Sequence, residues 1–87
     1  MAELTVQLVT PESVKYEGSA RRVQLPAVQG EMGVLPHHVP LATMLQAGRV
    51  EVISAEGNRH FQVEAGFATI ANNQLVVLVD SAEELKG

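Results

Sequence analysis

Apolar and polar residues alternate with a period of two along most of the chain, the signature of strands that bury one face. In the run 4–10, Leu4, Val6 and Leu8 fall on one side and Thr5, Gln7 and Val9 on the other. Pro11 and Glu12 turn the chain into a second short strand over 14–17, ended by Gly18, and the two are expected to form a hairpin or meander. Alternation resumes over 20–25, with Arg21, Val23 and Leu25 on one side and Arg22 and Gln24 on the other, until Pro26 interrupts the ladder. Further strands are predicted over 41–46, 49–54, 60–65, 67–70 and 75–79, separated by turn signals at Ala47-Gly48, Ala55-Glu56-Gly57-Asn58, Gly66 and Asn72-Asn73. In the strand over 49–54, Val50 and Val52 point inward and Arg49 and Glu51 outward.

Between two of these runs stands Gly30-Glu31-Met32-Gly33-Val34-Leu35-Pro36-His37-His38-Val39-Pro40-Leu41, the densest group of conformationally special residues in the chain. Gly30 and Gly33 permit positive φ, while Pro36 and Pro40 fix φ and push Leu35 and Val39 towards extended backbone. A tight turn, a short strand, a kink and a second strand are predicted, with no helix. At the other end, Asp80 or Ser81 can cap free N–H groups and Glu83 and Glu84 favour the positive end of a helix dipole, so residues 80–87 read as the start of a helix. The prediction is an all-β fold, a flattened sandwich or barrel of about eight to ten short, mostly antiparallel strands, with at most the start of a helix at the C-terminus.

The 87-residue length limits the chain to one small domain without a large catalytic cleft. With 46% hydrophobic residues but only Tyr16, Phe61 and Phe67 aromatic, Val, Leu, Ile and Ala must fill the core. The absence of cysteine removes disulfides, thiolate nucleophiles and Cys-based zinc sites. No run approaches the ~18 apolar residues of a membrane span, and the N-terminus lacks a signal pattern, so a soluble chain without direct membrane insertion is expected. A net charge of −4 with scattered basic residues disfavours nucleic acid as a partner, because neutralising phosphates needs clustered positive charge.

The runs at 41–45, 67–70 and 75–79 carry too few polar residues for an ordinary outer face. Either they are buried on both sides, or one outer face is an apolar patch that meets a partner.

Candidate chemistry is sparse. His37 and His38 are adjacent and point to opposite sides of extended chain, and neither makes a His-x-His or His-x-x-x-His pair with His60. A small metal- or ligand-binding β-barrel using His37, His38 and His60 is retained only as the alternative reading. Glu31 has no second acid, nucleophile or base near it in sequence, and Gly30-Glu31-Met32-Gly33 is not followed by the Lys-Ser or Lys-Thr of a phosphate loop. No catalytic, cofactor-binding or metal-binding residue is therefore assigned.

The 30–41 motif, followed by Gly48-Arg49-Val50 and by Val63-Glu64-Ala65-Gly66-Phe67, resembles the epsilon subunit of bacterial rotary ATP synthases. The family pattern is close to G-E-x-G-x-x-P-x-H-x-P-L, and the similarity extends from the strand at Leu4 to Asp80. Ala65-Gly66 departs from the Gly-Gly of many members, although one glycine still serves the bend. The resemblance implies a ten-stranded β-sandwich over residues 1–80. Residues 81–87 would be a short tail where the family's C-terminal helical domain would begin, and that domain is expected to be absent.

It further implies a non-catalytic central-stalk subunit of the F-type ATP synthase, with no cofactor. Such a subunit binds the gamma subunit and the c ring and couples proton-driven rotation to ATP synthesis, peripherally at the cytoplasmic face of the bacterial inner membrane. Carried over residue by residue, Gly30, Glu31, Met32 and Gly33 match the loop that faces the c ring, and Thr10, His38 and Thr43 match positions at the gamma contact.

Overall fold

Alternation becomes strand throughout the computed structural model, which describes residues 2–85. The strands, in order, are β1 (Leu4–Val9), β2 (Val14–Ala20), β3 (Arg22–Ala27), β4 (Gly30–Val34), β5 (Leu41–Leu45), β6 (Gly48–Ser54), β7 (Gly57–Val63), β8 (Gly66–Ala71), β9 (Gln74–Val79) and β10 (Ala82–Leu85). They form one ladder in the order β10-β7-β6-β3-β5-β8-β9-β1-β2, with β4 attached to β3. The ladder changes direction at β3. One side of this strand pairs with β4 from Val23 to Ala27, while the other pairs with β6 at Arg22 to Gln24 and touches β5 only at Ala27.

Two halves result, β4-β3-β6-β7-β10 (sheet I) and β5-β8-β9-β1-β2 (sheet II), and they face each other across the core. Neighbours are antiparallel except β1 and β9, which run parallel. Sheet I contributes Val23, Leu25, Val34, Val50, Val52, Phe61 and Val63 to the core, and sheet II contributes Leu4, Val6, Leu8, Leu45, Ile70, Leu75 and Val77, all 2% exposed or less. The expected aliphatic filling is what the interior contains, with inward and outward residues on β1 and β6 as predicted.

At the seam between the sheets β2 comes alongside β6 and β10. Tyr16 of β2 meets Phe61 of β7 edge-on, with ring centroids 6.1 Å apart. The Arg59 guanidinium lies 4.9 Å from the Tyr16 ring centre and 5.6 Å from that of Phe61. It also donates two hydrogen bonds to Glu84 of β10, at 2.8 and 2.7 Å. One side chain thus ties β2, β7 and β10 together.

Local turn chemistry explains the connections. Asn72 (φ +53°) and Asn73 (φ +60°) form the two-residue turn between β8 and β9, a geometry that requires positive φ at both positions. Gly30 (φ +125°) follows the Val28-Gln29 turn between β3 and β4. Gly57 (φ +127°) likewise follows the Ala55-Glu56 turn between β6 and β7, within the expected Ala55-Glu56-Gly57-Asn58 hairpin.

Three expectations are corrected. Residues 82–85 form strand β10 instead of opening a helix: Ala82 is buried and the segment pairs with β7, which overrides the local capping signal; Lys86 and Gly87 lie outside the described residues. Gly18 does not end β2, because the strand continues to Ala20 and pairs Gly18 with Val6. Pro26 stays within β3. Its carbonyl accepts the Gln46 N–H at 2.9 Å, so its missing donor faces the gap where β3 passes from β6 to β5 and no ladder bond is lost. The predicted turn, strand, kink and strand of the 30–41 motif do form, with His37 at φ +64° in the kink.

Candidate functional site

Residues opposite one another in a ladder share a face, so the register defines what each sheet presents outward. In sheet II one outward row crosses all five strands, running Met44, Phe67, Leu78, Val9, Val14. Met44 is 61% exposed, Val14 52%, Phe67 41% and Leu78 38%, so the row is an open apolar band and not a second core. The next row, Ala42, Thr69, Val76, Gln7, Glu17, grows polar towards β2, where Gln7 hydrogen-bonds Glu17 at 2.9 Å. Phe67 stands as a ridge between two hollows. One of about 350 Å³ lies over Val9, Thr10, Leu78 and Asp80, and one of about 140 Å³ over Ala42, Thr43 and Met44. The Val28 N–H bonds the Met44 carbonyl at 3.0 Å, which brings exposed Val28 against the end of the band.

The expected gamma-contact residues border this face. Thr10 follows β1 and is 6% exposed. Its hydroxyl serves the β1–β2 turn, donating to the Ser13 carbonyl and accepting from the Glu12 and Ser13 N–H groups. Thr43 lies on β5 beside the smaller hollow. His38 is half-buried in the β4–β5 link, at the opposite end of the sheet from Thr10. The three do not converge: Thr10 and His38 lie at opposite ends of the sheet, and Thr43, opposite buried Ala68, belongs to the inner row and is only half-buried.

The expected c-ring residues lie apart, on β4, which among the described residues pairs only with β3 and so leaves a free edge. Gly30, Glu31 and Gly33 are exposed, whereas Met32 packs partly against the core. Glu31 accepts a long contact of 3.5 Å from Gln24, whose other amide atom accepts from Arg22 at 2.8 Å. Gly33 needs its missing side chain for neither reason that operates elsewhere: its φ is not positive, and a Cβ there would lie 3.4 Å or more from flexible Arg22 and Gln24 atoms. At Gly66, by contrast, a Cβ would fall 2.0 Å from the Leu78 carbonyl.

The histidines are divided between sheets. His37 and His38 lie on the link, while His60 sits on β7 of sheet I, 3.6 Å from the Glu51 carboxylate. Among the described residues no three His, Cys, Asp or Glu side chains converge as metal ligands. No described helix is long and apolar enough to cross a membrane.

Residues 3–85 match the model of the β-sandwich domain of the ATP synthase delta/epsilon chain. The chain belongs to that family. It is 38% identical over 86 residues to the ATP synthase epsilon chain of Helicobacter pylori, a match covering 99% of this chain and 70% of the relative. It is 34% identical over 87 residues to ATP synthase epsilon chain 2 of Nitrobacter hamburgensis, covering 100% of this chain but 64% of the relative. The family fold recurs in a chain of the Euglena gracilis mitochondrial ATP synthase, seen in a structure of its OSCP, F1 and c-ring. The TM-score is 0.89 at 21% identity, over 97% of this chain and 54% of that one. The chain thus spans about half to two thirds of the length of the relatives it matches, and the likeness covers the strand domain.

Of the features that matter here, the apolar band was signalled by strands apolar on both sides. The unexplained glycine at 33 becomes visible only once φ and packing are known.

Proposed function

We propose that this chain is a non-catalytic rotor subunit of an F-type ATP synthase, gripping the gamma subunit with the outer face of sheet II and meeting the c ring through β4. The apolar band of Met44, Phe67, Leu78, Val9 and Val14 carries this reading. A row of large apolar side chains crossing five strands is a contact surface in want of a partner, and family membership names the assembly that supplies one. Five strands at ~4.8 Å spacing make a face about 20 Å wide.

On β4, exposed Glu31 offers a carboxylate to a basic or polar loop, and Gly33 leaves the strand bare where a partner backbone approaches. The chain contributes contact and stiffness, so that proton-driven rotation of the c ring reaches gamma and ATP synthesis follows at the catalytic head. It would work peripherally, at the cytoplasmic face of the bacterial inner membrane.

Mixing the purified chain with gamma tests the reading. A stable one-to-one complex is expected on size-exclusion chromatography, and two separately eluting proteins at micromolar concentration would overturn it.

A further inference from the structure

The positive φ of Asn73 explains why Asn or Gly stands in the β8–β9 turn, but not what the Asn73 side chain does there. Its Nδ2 donates to the Glu3 carbonyl at 2.7 Å, and its Oδ1 accepts the His37 N–H, also at 2.7 Å. Its own carbonyl accepts the Thr5 N–H at 3.1 Å. A single residue therefore joins the lead-in to β1, the β8–β9 turn and the link between β4 and β5.

The link has little else to hold it. Leu35 and Val39 are 57% and 70% exposed, so neither anchors it by burial. The His38 N–H bonds Leu35 at 3.2 Å and the His38 ring meets the Val39 carbonyl at 2.7 Å, both within the link itself. Among the described residues, the Asn73–His37 bond is the one hydrogen bond tying residues 35–40 to a segment distant in sequence. It falls on His37, whose φ of +64° is an uncommon conformation for a residue with a side chain and persists only where surroundings impose it.

We propose that Asn73 is the positioning residue for the 35–40 link: by fixing it to the body of sheet II it sets how the chain enters β5, whose Met44 opens the apolar band, without touching gamma itself. The inference rests on the gamma contact proposed above. It also makes Asn73 part of the path between the two contact regions, since the link joins β4 to β5.

Asn73→Gly isolates the effect, because Asn-Gly is a favoured pair for this turn, so the hairpin stays while both side-chain bonds go. Asn73→Asp keeps the acceptor for the His37 N–H and loses the donor to Glu3. Asn72→Gly is the control. With the full chain, the readouts are amide exchange at His37 by NMR and affinity for purified gamma.

Asn73→Gly should speed His37 exchange and weaken gamma binding, each about tenfold, the scale of one lost hydrogen bond. Asn73→Asp should recover most of both, and Asn72→Gly should change neither. Gamma affinity within twofold of the parent in Asn73→Gly, while Phe67→Ala weakens binding by about 30-fold or more, would overturn this inference and leave the apolar-face reading intact. Equal weakness of Asn73→Asp with a protected His37 amide would also overturn it, by moving the effect to the Glu3 bond. A parent chain that does not bind gamma would overturn both.

Discussion

The outer face of sheet I carries Arg22, Gln24, Arg49, Glu51, His60 and Gln62, whereas the outer face of sheet II carries Met44, Phe67, Leu78, Val9 and Val14. Both sheets bury the same kind of aliphatic residue on their inner faces, so stability of the sandwich does not distinguish them. Among the described strand residues the well-exposed large apolar side chains, Val14, Leu41, Met44, Phe67 and Leu78, all lie on sheet II, where they add little to the isolated domain and raise the hazard of association. On the reading proposed above, one face is finished by solvent and the other by a partner. On the solvent face His60 and Glu51 are half-buried neighbours 3.6 Å apart.

The largest break of this contrast should come at Phe67. Phe67→Ala removes the ridge between the two hollows and should weaken gamma binding by about 30-fold or more, the size of an interface hot spot, with little change in Tm because the ring is already 41% exposed. Arg49→Ala on the opposite face should alter affinity less than about twofold. Comparable losses from both substitutions, measured by calorimetry, would erase the distinction.

A smaller effect is expected at β4. Gly33→Ala should leave Tm unchanged or slightly raised, since Ala fits extended backbone and restricts the unfolded chain. It should nevertheless weaken association with purified c ring several-fold, as should Glu31→Gln, and salt should weaken the parent's c-ring contact more than its gamma contact. A Gly33→Ala chain that loses stability instead would show that the glycine serves the fold.

The smallest effect lies at the seam. The Arg59 hydrogen bonds hold the Glu84 carboxyl below its ordinary value of 4.5. A carboxyl lowered in the folded state contributes stability above that ordinary value and loses it as pH falls through the folded one. Tm of Glu84→Gln should therefore sit slightly under the parent at neutral pH and converge with it in acid; a constant gap across the titration would exclude the pair as its cause.

Much of the sandwich was legible because alternation, glycine turns and proline breaks act locally. The burial of Leu4, Val6 and Leu8, and the kinked course of the 30–41 motif, needed no distant information. What was misread depended on distant partners. Asp80 and Ser81 do offer helix caps, but the pairing of β10 with β7, a nonlocal gain, decides the conformation of residues 82–85. The apolar face was legible as an excess of hydrophobic positions, whereas its outline required the cross-strand register. Asn73 was invisible as anything but a turn residue, since its side-chain partners Glu3 and His37 lie far along the chain.

The parallel pairing of β1 with β9 has a kinetic side. Thr5 lies against Gln74 and Val9 against Leu78, so the first strand cannot find its second neighbour until nearly all of the sandwich has been synthesised. Until then β1 has only β2 beside it, and a lone hairpin is marginally stable in water. Folding must therefore be late and set by long-range closure, in the millisecond-to-second range of β-rich domains with distant contacts. A ribosome-bound chain halted before β9 would expose the unpaired edge of β1 and its apolar face of Leu4, Val6 and Leu8, the stage at which a chaperone has most to protect.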